Sequence, residues 1–302
     1  MSFLLCILLS LTYLGYLKKG KSLIVLAQFF IVLLILVLIA VPILMAVSSN
    51  NFTILIFYLI SFILFFLLWY KYPRFKCLRE KEISKINGIT IFLCYEKKRF
   101  YNAWFDPIKK KIGITKSLFD ILSEDERKAV LYHEIGHSKN KLWYWIMVCM
   151  LVLWFSFASS VLTLVLLIVL SGYDIVSKIA LSATFLTLLP MYAVSAMISS
   201  WINEHEADVY AVKMVGFKPK AQALMKLHIY SSLKECENVI SGIEFSDSFE
   251  LDKLSYFQVL KAIIWRVFKY MHPQTVLNQP LPETHPPLRL RLERIIRLKK
   301  SP

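Results

Sequence analysis

The sequence predicts a polytopic α-helical membrane protein whose polar segments form a mostly helical domain carrying a small β-sheet. Three observations predict it. Of 302 residues 57% are hydrophobic and only 19% charged, with a mean hydropathy of +0.56, whereas soluble domains hold about 25% charged residues. The apolar excess is gathered into long blocks. The net charge of +15 is also unevenly spread, concentrated in alternate connecting segments. This composition excludes a disordered tail protein, a secreted disulfide scaffold and a cytosolic enzyme.

Five blocks are long and apolar enough to be spans, since about 20 residues at 1.5 Å rise cross the hydrocarbon core. They are Ser2 to Leu17, Leu23 to Val47, Thr53 to Tyr70, Leu142 to Leu170 and Ile179 to Ile202. The first lacks a basic leader and a small-residue cleavage site before Lys18, so it reads as a retained span instead of a signal peptide. The organisation is then three spans in 1–70, a polar segment 71–141, two spans in 142–202 and a polar remainder 203–302. The segment from Lys71 to Lys141 carries 17 basic against 9 acidic residues, and the tail from Asn203 carries 15 against 11. With Lys18, Lys19 and Lys21, every basic segment falls on one side of five crossings, and the near-neutral loops fall on the other. The excess of Lys and Arg in cytoplasmic loops therefore places both polar segments in the cytoplasm and the N-terminus outside, in a multi-pass protein of the cell membrane. Topology accounts for the basicity, so no nucleic acid partner is needed, and no nucleic-acid motif is present. The five cysteines, Cys6, Cys77, Cys94, Cys149 and Cys236, are odd in number and without CxxC spacing, and read as reduced, with no disulfide partner.

Within the first polar segment, Gly88 to Tyr95 and Phe100 to Phe105 read as strands joined by a turn at Glu96 to Arg99, with a further strand over Ile112 to Thr115. Ser123 followed by Glu126 is a capping box, which starts a helix that runs into His133-Glu134-Ile135-Gly136-His137. His133 and His137 lie one turn apart on one face, so both imidazoles can reach one metal ion. Glu134 points about 100° round the helix, placed to hold the attacking water without being a ligand. Two neutral nitrogen ligands, an open position and a carboxylate base are what a zinc peptidase needs. The bland alternative is a chance pattern on an ordinary amphipathic helix.

A third ligand is available in Glu204-His205-Glu206-Ala207-Asp208, directly after the last span. If that span continues as helix, Glu204 and Asp208 share a face at i and i+4, so Glu204 can ligate while Asp208 supports a ligating histidine from behind. His205 and Glu206 point elsewhere and read as structural or solvated, as do His228 and His272. His285, in Pro282-Glu283-Thr284-His285-Pro286-Pro287, sits in a proline-stiffened turn ahead of an Arg-rich helix and is a candidate electrophilic donor.

HEIGH, then EHEAD after two spans, then Thr284-His285-Pro286-Pro287 together resemble the HtpX-type membrane zinc metalloproteases and the related type I CAAX prenyl proteases. Tyr101-Asn102-Ala103-Trp104 resembles the Asn-Ala edge strand of that family, and the likeness covers roughly residues 85 to 298. The resemblance implies a mostly α (α+β) zincin-like metalloprotease domain with one catalytic zinc ion held by His133, His137 and Glu204, and Glu134 as general base and acid. It also implies that Asp208 stands behind the ligands, that Asn102 and Ala103 line the substrate strand, and that His285 with Arg291 stabilises the oxyanion. Where the family often has Ser-Arg, Ser200 is followed by Trp201, which reads as an interfacial anchor.

From helical rise, His137 and Glu204 lie close to the ends of spans, so the centre is expected within about 10 Å of the membrane edge. Substrates would be misfolded or membrane-anchored proteins and peptides, with the lipid bilayer as the other partner, in membrane-protein quality control. Ala221 to Leu233 reads as a helix and Glu235 to Asp252 as a mobile loop. Tyr256 to Tyr270 reads either as a helix lying on the membrane or as a core-facing helix of the catalytic domain. Competing functions are a prenyl-peptide protease, a regulatory protease cutting one cytoplasmic partner, and a non-catalytic membrane scaffold.

Overall fold

The computed structural model describes residues 11–13, 15–17, 52–71, 77–106, 109–139, 152, 155, 158–159, 162, 175–232, 256–271 and 285–300. The expected span Leu23 to Val47, most of Ser2 to Leu17 and of Leu142 to Leu170, the loop Glu235 to Asp252, and His272 lie outside these residues. The chain divides into two compact units, one of residues 1–72, 145–202 and 254–284 and one of 73–144, 203–253 and 285–302. Sequence reasoning assigned 203–302 whole to the catalytic part; the structure gives 254–284 to the other unit.

In the first unit, helix α1 spans Phe52–Lys71. Ile56, Phe57, Leu59, Ile60, Ile63, Leu64, Phe66 and Leu67 are all exposed on it, while Ser61 is buried and returns its hydroxyl to the Phe57 carbonyl at 2.8 Å. Among the described residues no helix is long and apolar enough to cross a membrane; of α1 the side chains described are those of 56–67. Trp201 is fully buried, edge-on to Tyr13 and under the Arg266 guanidinium at 5.5 Å. That corrects its reading as an interfacial anchor: an indole enclosed by two neighbours has no face left for the interface. The segment read two ways is a helix over Tyr256–Met271, and it belongs to the first unit, not to the one that holds His133 and His137. Val259, Ile263 and Val267 form a buried stripe at four-residue spacing, and Phe257, Ile264, Trp265 and Phe268 are exposed.

The second unit begins with a four-stranded sheet: β1 (Arg79–Ile86), β2 (Ile89–Tyr95), β3 (Ala103–Asp106) and β4 (Lys111–Thr115), in the order β1-β2-β4-β3. The expected strands appear within a residue or three of their expected bounds, but β1 was missed. Its sequence is exposed at seven of eight positions, so it carries no core periodicity. The available signal was Asn87-Gly88, whose φ values of 50° and 77° turn β1 into β2 as an antiparallel hairpin. That hairpin also departs from the expectation of reduced cysteines at two of the five positions. Its register sets Glu80 opposite Cys94, which brings Cys77 to a Cα separation of 5.3 Å, and the two form a disulfide. Pairing across a 17-residue separation is created by the hairpin, not by sequence spacing.

Strand β2 lies inside the sheet, parallel to β4, and is buried on both faces. On one face Ile89, Ile91 and Ile112 pack on Ile135 of the histidine-bearing helix. On the other, Trp104 lies edge-on to Phe92 across Gly113, where a Cβ would fall 2.4 Å from the indole. Helix α2 (Lys116–Ile121) is capped by the Thr115 hydroxyl and by Glu96, which accepts from the Lys116 and Ser117 amides. Helix α3 (Glu124–Lys139) follows, and its capping box forms as read: the Ser123 amide donates to Glu126 at 2.8 Å and the Glu126 amide to Ser123 Oγ at 3.4 Å.

Helix α4 runs without interruption over Ile175–Val215, so the last expected span and the EHEAD segment are one helix. Gly216, with φ of 89°, ends it and donates to the Val212 carbonyl at 2.9 Å. Helices α5 (Phe217–Ser232), α6 (Tyr256–Met271, the helix described above) and α7 (Leu288–Lys300) complete the described elements. Within the second unit Ala221 and Leu224 of α5 pack on Leu292 and Ile295 of α7.

Candidate metal centre

Two helices of the second unit supply the centre, α3 with both histidines and α4 with the acids. Their close approach has a local cause. A Cβ on Gly136 would meet Ala207 at 3.0 Å from its Cα and 3.3 Å from its Cβ, so the smallest residue of HEIGH faces the smallest residue of EHEAD. The pair lets the helix backbones come near enough for short side chains to converge.

What converges is His133, His137 and Glu204, whose ligand atoms lie within 4.8 Å of one another and could hold a metal ion. His133 Nε2 is 3.4 Å from Glu204 Oε2 and His137 Nε2 is 3.3 Å from Oε1. The two imidazoles stand edge to face at 4.7 Å between ring centroids. His133 and Glu204 are buried, at 6% and 5% exposure. Two imidazole nitrogens and a carboxylate, with Glu204 Oε2 buried and outside any aligned hydrogen bond, form a donor set that suits zinc. Glu134, buried at 7%, follows His133 directly on α3.

Behind the donor set is a cluster of buried charge. Asp208 Oδ1 is 2.9 Å from His133 Nδ1; the contact is close but not well aligned, since that nitrogen has no hydrogen bond by geometry. Arg291 binds Asp208 as a fork, Nε donating to Oδ2 at 2.7 Å and Nη2 to Oδ1 at 2.6 Å. Its Nη1 is 3.2 Å from Glu204 Oε2. Lys220 Nζ is 2.8 Å from Asp208 Oδ1, and its side chain is 2% exposed. Asn203, buried at 3%, places Nδ2 2.7 Å from His137 Nδ1. His285, with 64% of its side chain exposed, reaches Glu204 Oε2 through Nδ1 at 3.0 Å.

The electrostatics follow from this crowding. Burial would raise the Glu204 carboxyl, but His285, Arg291 and the two histidines together hold it well below the usual carboxylate range. Asp208 is treated the same way: burial raises it, and the Arg291 and Lys220 cations more than offset that. Lys220 itself is pushed below its ordinary value, because burial and Arg291 outweigh the help of Asp208. Glu204 raises the His285 imidazole. His205 is enclosed, and burial takes it down to about 3, which fits the structural reading of that residue.

The predicted residues of the centre come from three stretches of the chain, and the structure brings His133, Glu134, His137, Glu204, Asp208, His285 and Arg291 into one unit. Asn102 and Ala103 stand at the start of outer strand β3, which packs beside α3. There the Asn102 carbonyl accepts from the Thr115 amide at 3.0 Å, and Thr115 Oγ1 accepts from the Asn102 amide at 3.1 Å. Arg291, expected beside His285, is engaged mainly by Asp208. Sequence reasoning passed over Lys220 and Asn203. Lys220 carries no sequence signal, since it follows Asp208 across the Gly216 helix break; Asn203 does, by its place immediately before Glu204.

The model of peptidase family M48 matches residues 77–299. The chain is 37% identical over 70 residues to protease HtpX homolog 1 of Sulfolobus acidocaldarius, covering 22% of this chain and 23% of that protein. It is 41% identical over 64 residues to the protease HtpX homolog of Thermoplasma volcanium, covering 20% and 21%. The aligned stretch thus spans less than a quarter of either relative. No solved structure matches the chain. A family model that runs through the sheet, both ligand-bearing helices and the Arg291 helix means that the chain belongs to peptidase family M48, with HtpX-type proteases as its similar relatives.

Proposed function

We propose that this protein is a membrane-embedded zinc metalloendopeptidase that cleaves membrane or membrane-proximal proteins in protein quality control. The observation that carries the reading is the convergence of His133, His137 and Glu204 with a buried Glu134 beside them. Zinc held by those three side chains would polarise a scissile carbonyl and lower the pKa of water. Glu134 takes the proton of the attacking water and returns it to the leaving amine. His285, exposed at the rim, donates to the oxygen that gains charge, and Arg291 adds positive potential from behind. Asp208 orients His133.

Two further observations support the substrate class. Strand β3 is an outer strand with one side unpaired, and an extended peptide added there is held by backbone hydrogen bonds, which gives low sequence specificity. Asn102 and Ala103 would then open the substrate strand. Membrane residence is supported by the exposed apolar side chains of α1 and by the exposed Phe257, Trp265 and Phe268 of α6 beside Lys261 and Lys269. The loop charges support a cytoplasmic catalytic part.

The test is cleavage of an unfolded reporter protein by the full chain purified in detergent with zinc, beside Glu134→Ala of measured metal content. The expected result is cleavage by the first, and bound zinc without cleavage in the second. Cleavage by Glu134→Ala at the wild-type rate would remove Glu134 as the base; zinc in both with cleavage by neither would remove the peptidase reading.

A further inference from the structure

His137 is the one histidine of the donor set whose outer nitrogen faces a group able to act in two ways. Its Nε2 looks inward, 3.3 Å from Glu204 Oε1, and its Nδ1 looks outward at Asn203 Nδ2, 2.7 Å away. An amide NH2 can only donate. In this orientation Nδ1 is therefore an acceptor, and the ring proton of a neutral imidazole sits on Nε2, the nitrogen that points at the donor set. The same amide leaves Asn203 Oδ1 buried and without a hydrogen-bond partner. A half-turn of the amide exchanges these roles. Oδ1 then accepts from Nδ1–H, the buried oxygen gains its partner, and the Nε2 lone pair is free to ligate.

We propose that Asn203 is a positioning residue for His137, whose amide side chain selects the Nε2-ligating tautomer by accepting from Nδ1. The inference rests on the metal-centre reading above. One turn of α4 then carries a ligand and both histidine supports: Asn203 for His137, Glu204 itself, and Asp208 for His133. The two supports differ in kind. Asp208 offers His133 Nδ1 an acceptor only, whereas the Asn203 amide can turn either end to His137, and its buried Oδ1, unpartnered in the other orientation, favours the one that accepts from Nδ1.

The experiment measures zinc affinity of the full chain in detergent by competition with a chromogenic chelator, with thermal unfolding of the metal-free protein as the folding control. Asn203→Ala removes the acceptor and adds no bulk; Asn203→Asp retains an acceptor. The proposal expects Asn203→Ala to lose about ten- to a hundredfold in zinc affinity and Asn203→Asp to stay within about threefold of wild type. Wild-type affinity in Asn203→Ala, or an equal loss in both variants, would overturn it. A nitrogen NMR spectrum of histidine-labelled, zinc-loaded wild type reads the tautomer without any substitution: a protonated Nδ1 on His137 is expected, and ligation through Nδ1 overturns the proposal. His133→Ala separates the two levels of the argument. If it leaves zinc affinity unchanged, the metal-centre reading fails; if it abolishes binding while Asn203→Ala keeps wild-type affinity, only the role of Asn203 fails.

Discussion

Helix α1 and the metal centre break the ordinary rule of protein surfaces in opposite directions. On α1, Ile56, Ile60, Ile63 and Leu67 are exposed. In the centre, Glu204, Asp208, Lys220 and Arg291 are buried, all at 7% exposure or less. Neither arrangement is stable as it stands in water. Exposed contiguous apolar surface calls for an apolar solvent, and buried charge calls for partners close enough to repay desolvation. The centre holds its partners inside the fold: Asp208 takes two bonds from Arg291 and one contact each from Lys220 and His133. Among the described residues helix α1 shows no such internal remedy along its exposed side, and on the membrane reading the remedy is lipid.

Asp208 is where the comparison breaks most sharply. Asp208→Ala leaves Arg291 and Lys220 buried against each other, and breaking a buried pair by removing one partner costs about 3 to 5 kcal/mol. Thermal or denaturant unfolding of the metal-free protein should register that loss; a change under 1 kcal/mol, roughly that of an exposed pair, would mean the cluster is open to water. On the other side, Ile60→Lys on α1 should cost about 2.5 to 3.5 kcal/mol of insertion if its 58% exposed side chain meets lipid. The readout is the fraction of protein integrated in membranes, and full integration of the variant would show that this face meets water or protein.

Smaller effects sharpen the geometry between the two extremes. Gly136→Ala sets a Cβ 3.0 Å from the Ala207 backbone, and overpacking of that kind costs about 1 to 3 kcal/mol. It should also loosen zinc, because it parts the helices that carry the ligands; unchanged affinity would show that another contact sets their spacing. The smallest change is Ser123→Ala, which removes the α3 cap and should cost about 1 kcal/mol without altering zinc affinity. A loss of zinc in that variant would mean that the start of α3 and the histidines further along it are not independent, contrary to the cap's local geometry.

Legibility in the sequence followed how local each interaction is. The capping box, the histidine pair and the Glu204 to Asp208 pair are defined by separations of three or four residues on a helix, and helical spacing is fixed by backbone geometry. Strand β1 was lost because its side chains face water on both sides, although its Asn-Gly turn was readable. The reading of Trp201 failed because aromatic residues at the end of an apolar block look alike whether they meet headgroups or Tyr13 and Arg266.

What the sequence determined by itself is therefore the chemistry on offer: apolar blocks, the charge of each segment, and a pair of helical motifs able to present two imidazoles and two carboxylates. Only the tertiary structure decided that Lys220 lies beside Asp208, that Arg291 forks onto the same carboxylate, that Asn203 meets the outer nitrogen of His137, and that Cys77 meets Cys94. The physical reason is that these contacts depend on how α3 and α4 approach each other and on where α5, α7 and the β1–β2 hairpin pack. Such packing is set by side-chain volumes and strand register, which no separation along the chain encodes.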